Sequence, residues 1–255
     1  VHKAQFRKDP TGYREISRPE IEGAKQNLKQ SSILVQENGS RPACALPYEL
    51  YADGNISDDK KEFIIRMAAG KNFFGKDAAG SPFMVYANTP HKTIDKANYE
   101  KMRVWNYGLV AGDRFSDNWY LDHFEDQHYS LSLHGPNGFF RRFEGNSNDP
   151  LLTVSCVYLS GTGGPTGEIA INIINKGAEQ YNIMIVDPTY KSINKTILIG
   201  KSGTPKASQT ITVSTNKSSG WYDIILTANN KPVFLKQFAG HVETGKPSLT
   251  DPAMA

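Results

Sequence analysis

Apolar positions along this chain recur mostly with period two, in short runs separated by turn residues. From Leu46 onward the pattern predicts strands near residues 46–52, 62–69, 82–88, 100–107, 128–134 and 138–144. In Tyr129-Ser130-Leu131-Ser132-Leu133 the large side chains fall on one side of a strand. Phe63-Ile64-Ile65-Arg66-Met67 is apolar on both faces except at Arg66. Pro136-Asn137-Gly138 is a hairpin signal, because Asn-Gly accepts the positive φ that tight hairpins need. Residues 145–150, Gly-Asn-Ser-Asn-Asp-Pro, form a polar break. Strands are expected again near 151–159, 167–175, 181–187, 194–199, 208–215, 221–228 and 232–239. Turn signals every 8–15 residues, with no long amphipathic helix after residue 45, describe antiparallel sandwiches and exclude crossover α/β folds.

The first 43 residues differ. Ser17-Arg18-Pro19-Glu20 starts a helix, with Ser17 as cap, Pro19 in the first turn and Glu20 closing a capping box. The helix is expected over 19–28, with Ile21, Ala24 and Leu28 on one face. So few apolar residues cannot form a core, so this arm must lie on something else.

The two strand-rich stretches resemble each other. Tyr129-Ser-Leu-Ser-Leu and Phe143-Glu-Gly145 parallel Tyr222-Asp-Ile-Ile-Leu and Phe238-Ala-Gly240. Glu62-Phe-Ile-Ile parallels Glu168-Ile-Ala-Ile, and Phe83-Met-Val-Tyr parallels Ile183-Met-Ile-Val. The order is conserved between the halves, the mark of a tandem repeat of about 95–100 residues. The expected fold is all-β: two tandem antiparallel β-sandwich modules of immunoglobulin-like type, preceded by an extended arm with one short helix. The arm spans 1–43, the first module 44–146, and the second 147–255 with a C-terminal tail.

Composition adds limits. Net charge is +3 in 255 residues, with no basic block, so no nucleic-acid partner is expected. Cys44 and Cys156 read as two buried, unpaired thiols. The Val1 start, without Met or an apolar leader, reads as a processed product or a piece of a longer protein. Asn55, Asn194 and Asn216 open glycosylation-type triplets, which are frequent by chance.

Candidate chemistry is sparse. His123 and His128 are spaced wrongly for a zinc pair, and the nearby acids read as a solvated loop. No Gly-x-Ser-x-Gly elbow occurs, and the glycine string at 161–167 precedes a strand and not a helix. No catalytic residue, metal or cofactor is expected. The stretch 118–129 reads as an aromatic, charged loop: either core packing at a strand corner, or an exposed lip meeting lipid, sugar or a neighbouring domain. Phe139-Phe140 should place one ring inside and one outside, and Arg141-Arg142 at least one guanidinium outside. The candidate contact residues are Trp119, Tyr120, Phe124, Phe140, Arg141 and Arg142.

Several runs resemble one known family. His134-Gly-Pro-Asn-Gly-Phe-Phe-Arg-Arg-Phe-Glu-Gly145 is similar to a run in the C-terminal modules of bacterial phosphocholine-type phospholipase C. Gly220-Trp-Tyr-Asp-Ile-Ile, Phe238-Ala-Gly-His-Val-Glu-Thr-Gly245 and Pro247-Ser-Leu-Thr-Asp-Pro252 resemble the segment that closes its second module. Arg41-Pro-Ala-Cys-Ala-Leu-Pro-Tyr-Glu-Leu50 resembles the start of the first, and His2-Lys-Ala-Gln-Phe6 with Pro10-Thr-Gly-Tyr13 the link leaving the catalytic domain. The resemblance implies a parent enzyme that hydrolyses the glycerol-side phosphodiester of phosphatidylcholine or sphingomyelin and is secreted or periplasmic. Its nucleophile and metal ligands would lie in an N-terminal α/β domain, so none is carried onto this chain. The implied partners are that catalytic domain and a membrane phospholipid surface. A pair of carbohydrate- or surface-binding modules is the alternative function.

Overall fold

The computed structural model describes residues 14–27, 31, 39–162 and 164–254. It divides into two compact units, residues 1–39 with 255, and residues 40–254. The first unit holds the helix α1, Arg18–Gln26, which has no buried residue. Its start is as expected: Pro lies in the first turn, and the Ser17 backbone N–H donates to Glu20 Oε2 at 3.0 Å.

The second unit is all β. Its strands are β1 (Pro42–Ala43), β2 (Leu50–Ile56), β3 (Glu62–Ala69), β4 (Ser81–Ala87), β5 (His91–Lys92), β6 (Tyr99–Glu100), β7 (Arg103–Leu109), β8 (Arg114–Tyr120), β9 (Tyr129–His134) and β10 (Phe140–Gly145). They continue as β11 (Leu152–Gly161), β12 (Gly164–Asn175), β13 (Tyr181–Val186), β14 (Asn194–Ile199), β15 (Ser208–Ser214), β16 (Trp221–Ala228), β17 (Lys231–His241) and β18 (Ser248–Leu249). β8 has no counterpart among the expected strands, and its last residues fall in the stretch 118–129 that reads as a loop. Its residues are mostly exposed because it is an edge strand, and only Trp119 turns fully inward.

The sheets show the repeat directly. In the first half, β2-β3-β8 faces β10-β9-β4-β7; in the second, β11-β12-β15 faces β14-β13-β16-β17. The repeated segments fall on matching strands: β3 with β12, β4 with β13, β9 with β16 and β10 with β17. The two four-stranded sheets are one eight-stranded sheet, joined by antiparallel pairing of β10 with β17. Alternation along these strands sends Phe63, Phe83, Leu131, Phe143, Ile171, Ile183, Leu226 and Phe238 into one contiguous core. Each such side chain contributes about 1.5–3 kcal/mol by leaving water. The other two sheets meet through side chains: Asp53 Oδ1 and Asn55 Oδ1 on β2 accept the Cys156 and Val154 backbone N–H groups at 3.2 and 3.1 Å.

Two cations are sealed at the join. Arg141 lies opposite Phe238, and Lys236 lies opposite Phe143. Because Phe143 and Phe238 are repeat equivalents, the same cation–phenylalanine pair occurs twice around a local two-fold axis. Arg141 is fully buried and donates to the Phe140 and Ala239 carbonyls at 2.8 Å, to Tyr222 Oη at 3.2 Å and to the Ala52 carbonyl at 3.3 Å. Its guanidinium lies 4.0 Å from the Phe139 ring centroid. Lys236 Nζ donates to the Gly54 carbonyl and, at 3.0 Å, to Asn55 Oδ1.

Asn137 and Gly138 both have positive φ, 56° and 72°, so the β9–β10 turn is of the expected mirror-image type. Cys44 is exposed, against expectation, because it sits in the irregular lead-in to β2; Cys156 is buried, and neither is paired.

Candidate functional site

The six candidate contact residues separate into three places. Trp119 and Phe124 are buried in the core of the first half, and Tyr120 beside them is 46% exposed. Trp119 points inward because its neighbours on the alternating edge strand point out, and Phe124 is held against His91, ring centroids 5.0 Å apart. Arg141 is buried at the join, because β10 pairs on both edges and faces the core there. Phe140 and Arg142 lie on the outer face of the eight-stranded sheet. Phe140 stacks edge-on with His134 at 4.9 Å, and Arg142 pairs with Glu144.

Near Tyr120 the first half has an open edge. There β7 ends one sheet and β8 ends the other, and the β5–β6 hairpin crosses between them. A cavity of about 260 Å³ opens at this point. Trp105 and Trp119 wall it, with ring planes near perpendicular and centroids 5.5 Å apart. Lys92, Lys96 and Arg103 line it, together with His91, His123 and Tyr120. Arg103 is fixed by donating to the Lys92 carbonyl at 3.1 Å and by lying 3.6 Å from Glu100. Among the described residues the one carboxylate in the wall, Asp117, is already engaged by Tyr107 Oη at 2.6 Å and the Asn118 N–H at 2.8 Å.

Electrostatics follow from this arrangement. Burial first, and then the Arg103 charge, lower the His91 imidazole below its usual range. Burial does the same to His123; Lys96, Lys92 and Arg103 add to it, while Asp122 opposes it. Two neutral imidazoles beside three cations make a basic recess with aromatic walls, suited to an anion. Among the described residues no nucleophile with a positioned base lines it. The sequence reading missed Lys92, Lys96, Arg103 and Trp105. The available signal was the alternation of Arg103, Trp105 and Tyr107 along one face of β7, opposite a β8 not recognised as a strand.

A second arrangement has the outline of a hydrolytic triad. His241 Nδ1 lies 3.1 Å from Glu243 Oε1, and Nε2 lies 3.0 Å from Ser248 Oγ. Its bonding is that of a structural knot. Ser248 donates its hydroxyl proton to the Ser219 carbonyl at 2.7 Å, and Glu243 also accepts from the Leu46 N–H and Asn137 Nδ2. The knot ties the C-terminal tail to the β9–β10 turn. It uses residues of the closing motif that the sequence carries. Among the described residues no group of three or more His, Cys, Asp or Glu side chains converges as metal ligands would.

A larger cavity, about 470 Å³, lies where β2 meets β11 and contains Asp53. Burial raises its carboxyl to about 6, opposed by the Cys156 N–H and by the Arg141, Lys236 and Arg66 charges.

Residues 42–146 match the family described as "Bacterial phospholipase C, C-terminal domain". The chain is 30% identical over 227 residues to a non-hemolytic phospholipase C of Burkholderia pseudomallei, covering 88% of this chain and 29% of that protein. It is 28% identical over 275 residues to a hemolytic phospholipase C of Pseudomonas aeruginosa, covering 100% of this chain and 35% of that one. A non-hemolytic phospholipase C of the same organism is 29% identical over 226 residues, covering 86% and 29%. The chain therefore spans about a third of the length of these curated relatives. Among solved structures, a red sea bream transglutaminase aligns with 90% of this chain and 34% of its own at 10% identity and a TM-score of 0.22, a likeness that carries no argument. The resemblance carried by the motifs is supported: residues 42–146 match that C-terminal domain family, and these similarities support reading the chain as a C-terminal region of a bacterial phospholipase C.

Proposed function

We propose that this chain is a non-catalytic accessory region of a secreted or periplasmic bacterial phospholipase C. It packs on an N-terminal catalytic domain and holds that domain at a lipid surface. The observation that carries this reading is the open outer face of the eight-stranded sheet. Met84, Val104, Met184 and Leu198 are exposed on it, beside Tyr86, Phe140 and Arg142. A sheet that packs one face on its core and leaves half-apolar rows on the other suits a neighbouring domain. The carbohydrate alternative calls for a platform of exposed coplanar rings; with Trp119 and Phe124 inside, Tyr120 alone of those three is available, so the lipid reading is preferred.

The test uses the full-length enzyme carrying this region. Removing the region should leave turnover of a soluble chromogenic phosphocholine ester unchanged. Hydrolysis of vesicle phosphatidylcholine should fall at least about tenfold, because the tether that concentrates enzyme at the surface is gone. Equal loss on both substrates would overturn the orienting role. Hydrolysis of the ester by the isolated chain would overturn the non-catalytic one.

A further inference from the structure

We propose that the β5–β6 hairpin and the recess at its base form a binding site for anionic phospholipid. Ile94 and Met102 enter the headgroup boundary while Lys92, Lys96 and Arg103 take the lipid phosphate. The site rests on the lipid-surface half of the function proposed above and names where, and to what, that surface binds.

Three observations converge. First, Ile94 is 87% exposed and Met102 60% exposed, and Tyr99 between them is also exposed. These are large apolar side chains held out in water. Second, each sits among cations. The segment 91–103 carries Lys92, Lys96, Lys101 and Arg103 against Asp95 and Glu100. Apolar tips set among Lys and Arg are the pattern of a segment that lies in a membrane interface. Third, the hairpin is ordered before any ligand arrives. Asp95 accepts from the Thr93 hydroxyl and from the Ala97 N–H at 3.1 Å, and the Thr93 and Lys96 N–H groups close the turn at 2.9 and 2.8 Å. Asp95 is thereby occupied inside the turn and Glu100 lies beside Arg103. Among the described residues neither Lys92 nor Lys96 has a carboxylate within 4 Å. The recess, at about 260 Å³, has room for a phosphate group with part of its ester.

Charge complementarity decides the lipid class. Three convergent cations favour a headgroup with net negative charge over a zwitterion, so binding should need anionic lipid and weaken with salt.

The test is co-sedimentation of the full chain with phosphatidylcholine vesicles, with and without phosphatidylglycerol. The chain should sediment with the anionic vesicles and stay in solution with the neutral ones. Lys92→Ala and Lys96→Ala should each weaken partitioning about five-fold. Ile94→Ser should weaken it about tenfold. Ile94 and Lys96 are exposed and Lys92 is half-exposed, so the thermal melt should not move; Val110→Ser, in the exposed turn that follows β7, should bind as the parent does. A parent chain that ignores every vesicle overturns both this site and the lipid half of the proposed function. A parent chain that sediments while the three variants sediment equally overturns this site alone. Inorganic phosphate binding, by calorimetry, that Lys96→Ala removes while vesicle partitioning is unaffected also overturns it, and makes the recess a free-anion site.

Discussion

The two halves of the sandwich unit share one strand plan and differ most where β4 leads to β7 and β13 leads to β14. In the second half that connection is short and closed on itself. Buried Asp187 accepts the Thr189 and Tyr190 N–H groups at 3.1 and 2.7 Å and the Ser192 hydroxyl at 2.6 Å. In the first half the same connection is longer, makes its own hairpin, and leaves Ile94, Tyr99 and Met102 in solvent beside a basic recess. One scaffold is thus used twice, once sealed and once open. The difference teaches that shared packing is no guide to shared role; the role sits in the connection the repeat does not duplicate.

The largest expected effect tests whether the paired cations at the join are equivalent. Arg141→Ala should destabilise by about 3–5 kcal/mol in denaturant unfolding, because it strands buried acceptors and opens a cavity. Lys236→Met keeps the volume and removes a charge that burial penalises, so it should cost less than about 2 kcal/mol. Equal costs would erase the distinction.

The next effect is in pH. Burial lowers the Lys236 amine from 10.5 to about 8, with Asp149 and Asp53 opposing. The folded chain then loses this proton before the unfolded chain does. Stability attributable to Lys236 therefore rises as pH climbs from about 8 to about 10.5, by roughly 3 kcal/mol. Buried Tyr129 and Tyr222 have raised values and work the other way above pH 10. They are common to both proteins, so the difference in stability between parent and Lys236→Met should show the rise. A flat difference across pH 8–10 would refute it.

Smaller effects compare the two connections and the two hairpin turns. Asp187→Ala should cost about 2–3 kcal/mol, through three lost bonds at a buried site, whereas Asp95→Ala on the exposed turn should cost under about 1 kcal/mol. Gly138→Ala should cost about 1 kcal/mol or more, from its positive φ and a Trp221 ring carbon only 2.8 Å from the added methyl. Asn230→Gly, at the matching turn with φ 59°, should be near neutral.

Much of this fold could be read from residue order because its signals are local. The Pro136-Asn137-Gly138 turn and the alternation in 129–133 require nothing from elsewhere in the chain. The repeat was visible because it is carried by core-facing residues, which strand packing constrains most. The failures came where a residue's surroundings are set by distant chain. Arg141-Arg142 gave one guanidinium outside, as parity requires. Nothing local says that the other faces a neighbouring half and not solvent. Edge strand β8 lacks an apolar row, so Trp119 looked like part of a lip. The recess needs Arg103 and Trp105 from one sheet edge and Trp119 from another, a meeting no spacing encodes.

The β10–β17 pairing has an evolutionary and practical consequence. The join is self-complementary, with the same strand meeting its own repeat in antiparallel register. It is the interface that two copies of a single module would form as a symmetric dimer, now covalently tethered. A module cut free would bare a hydrogen-bonding edge and strip the shelter from its cation. Separated halves should therefore seek each other, or copies of themselves, and the natural unit of expression for this region is the tethered pair.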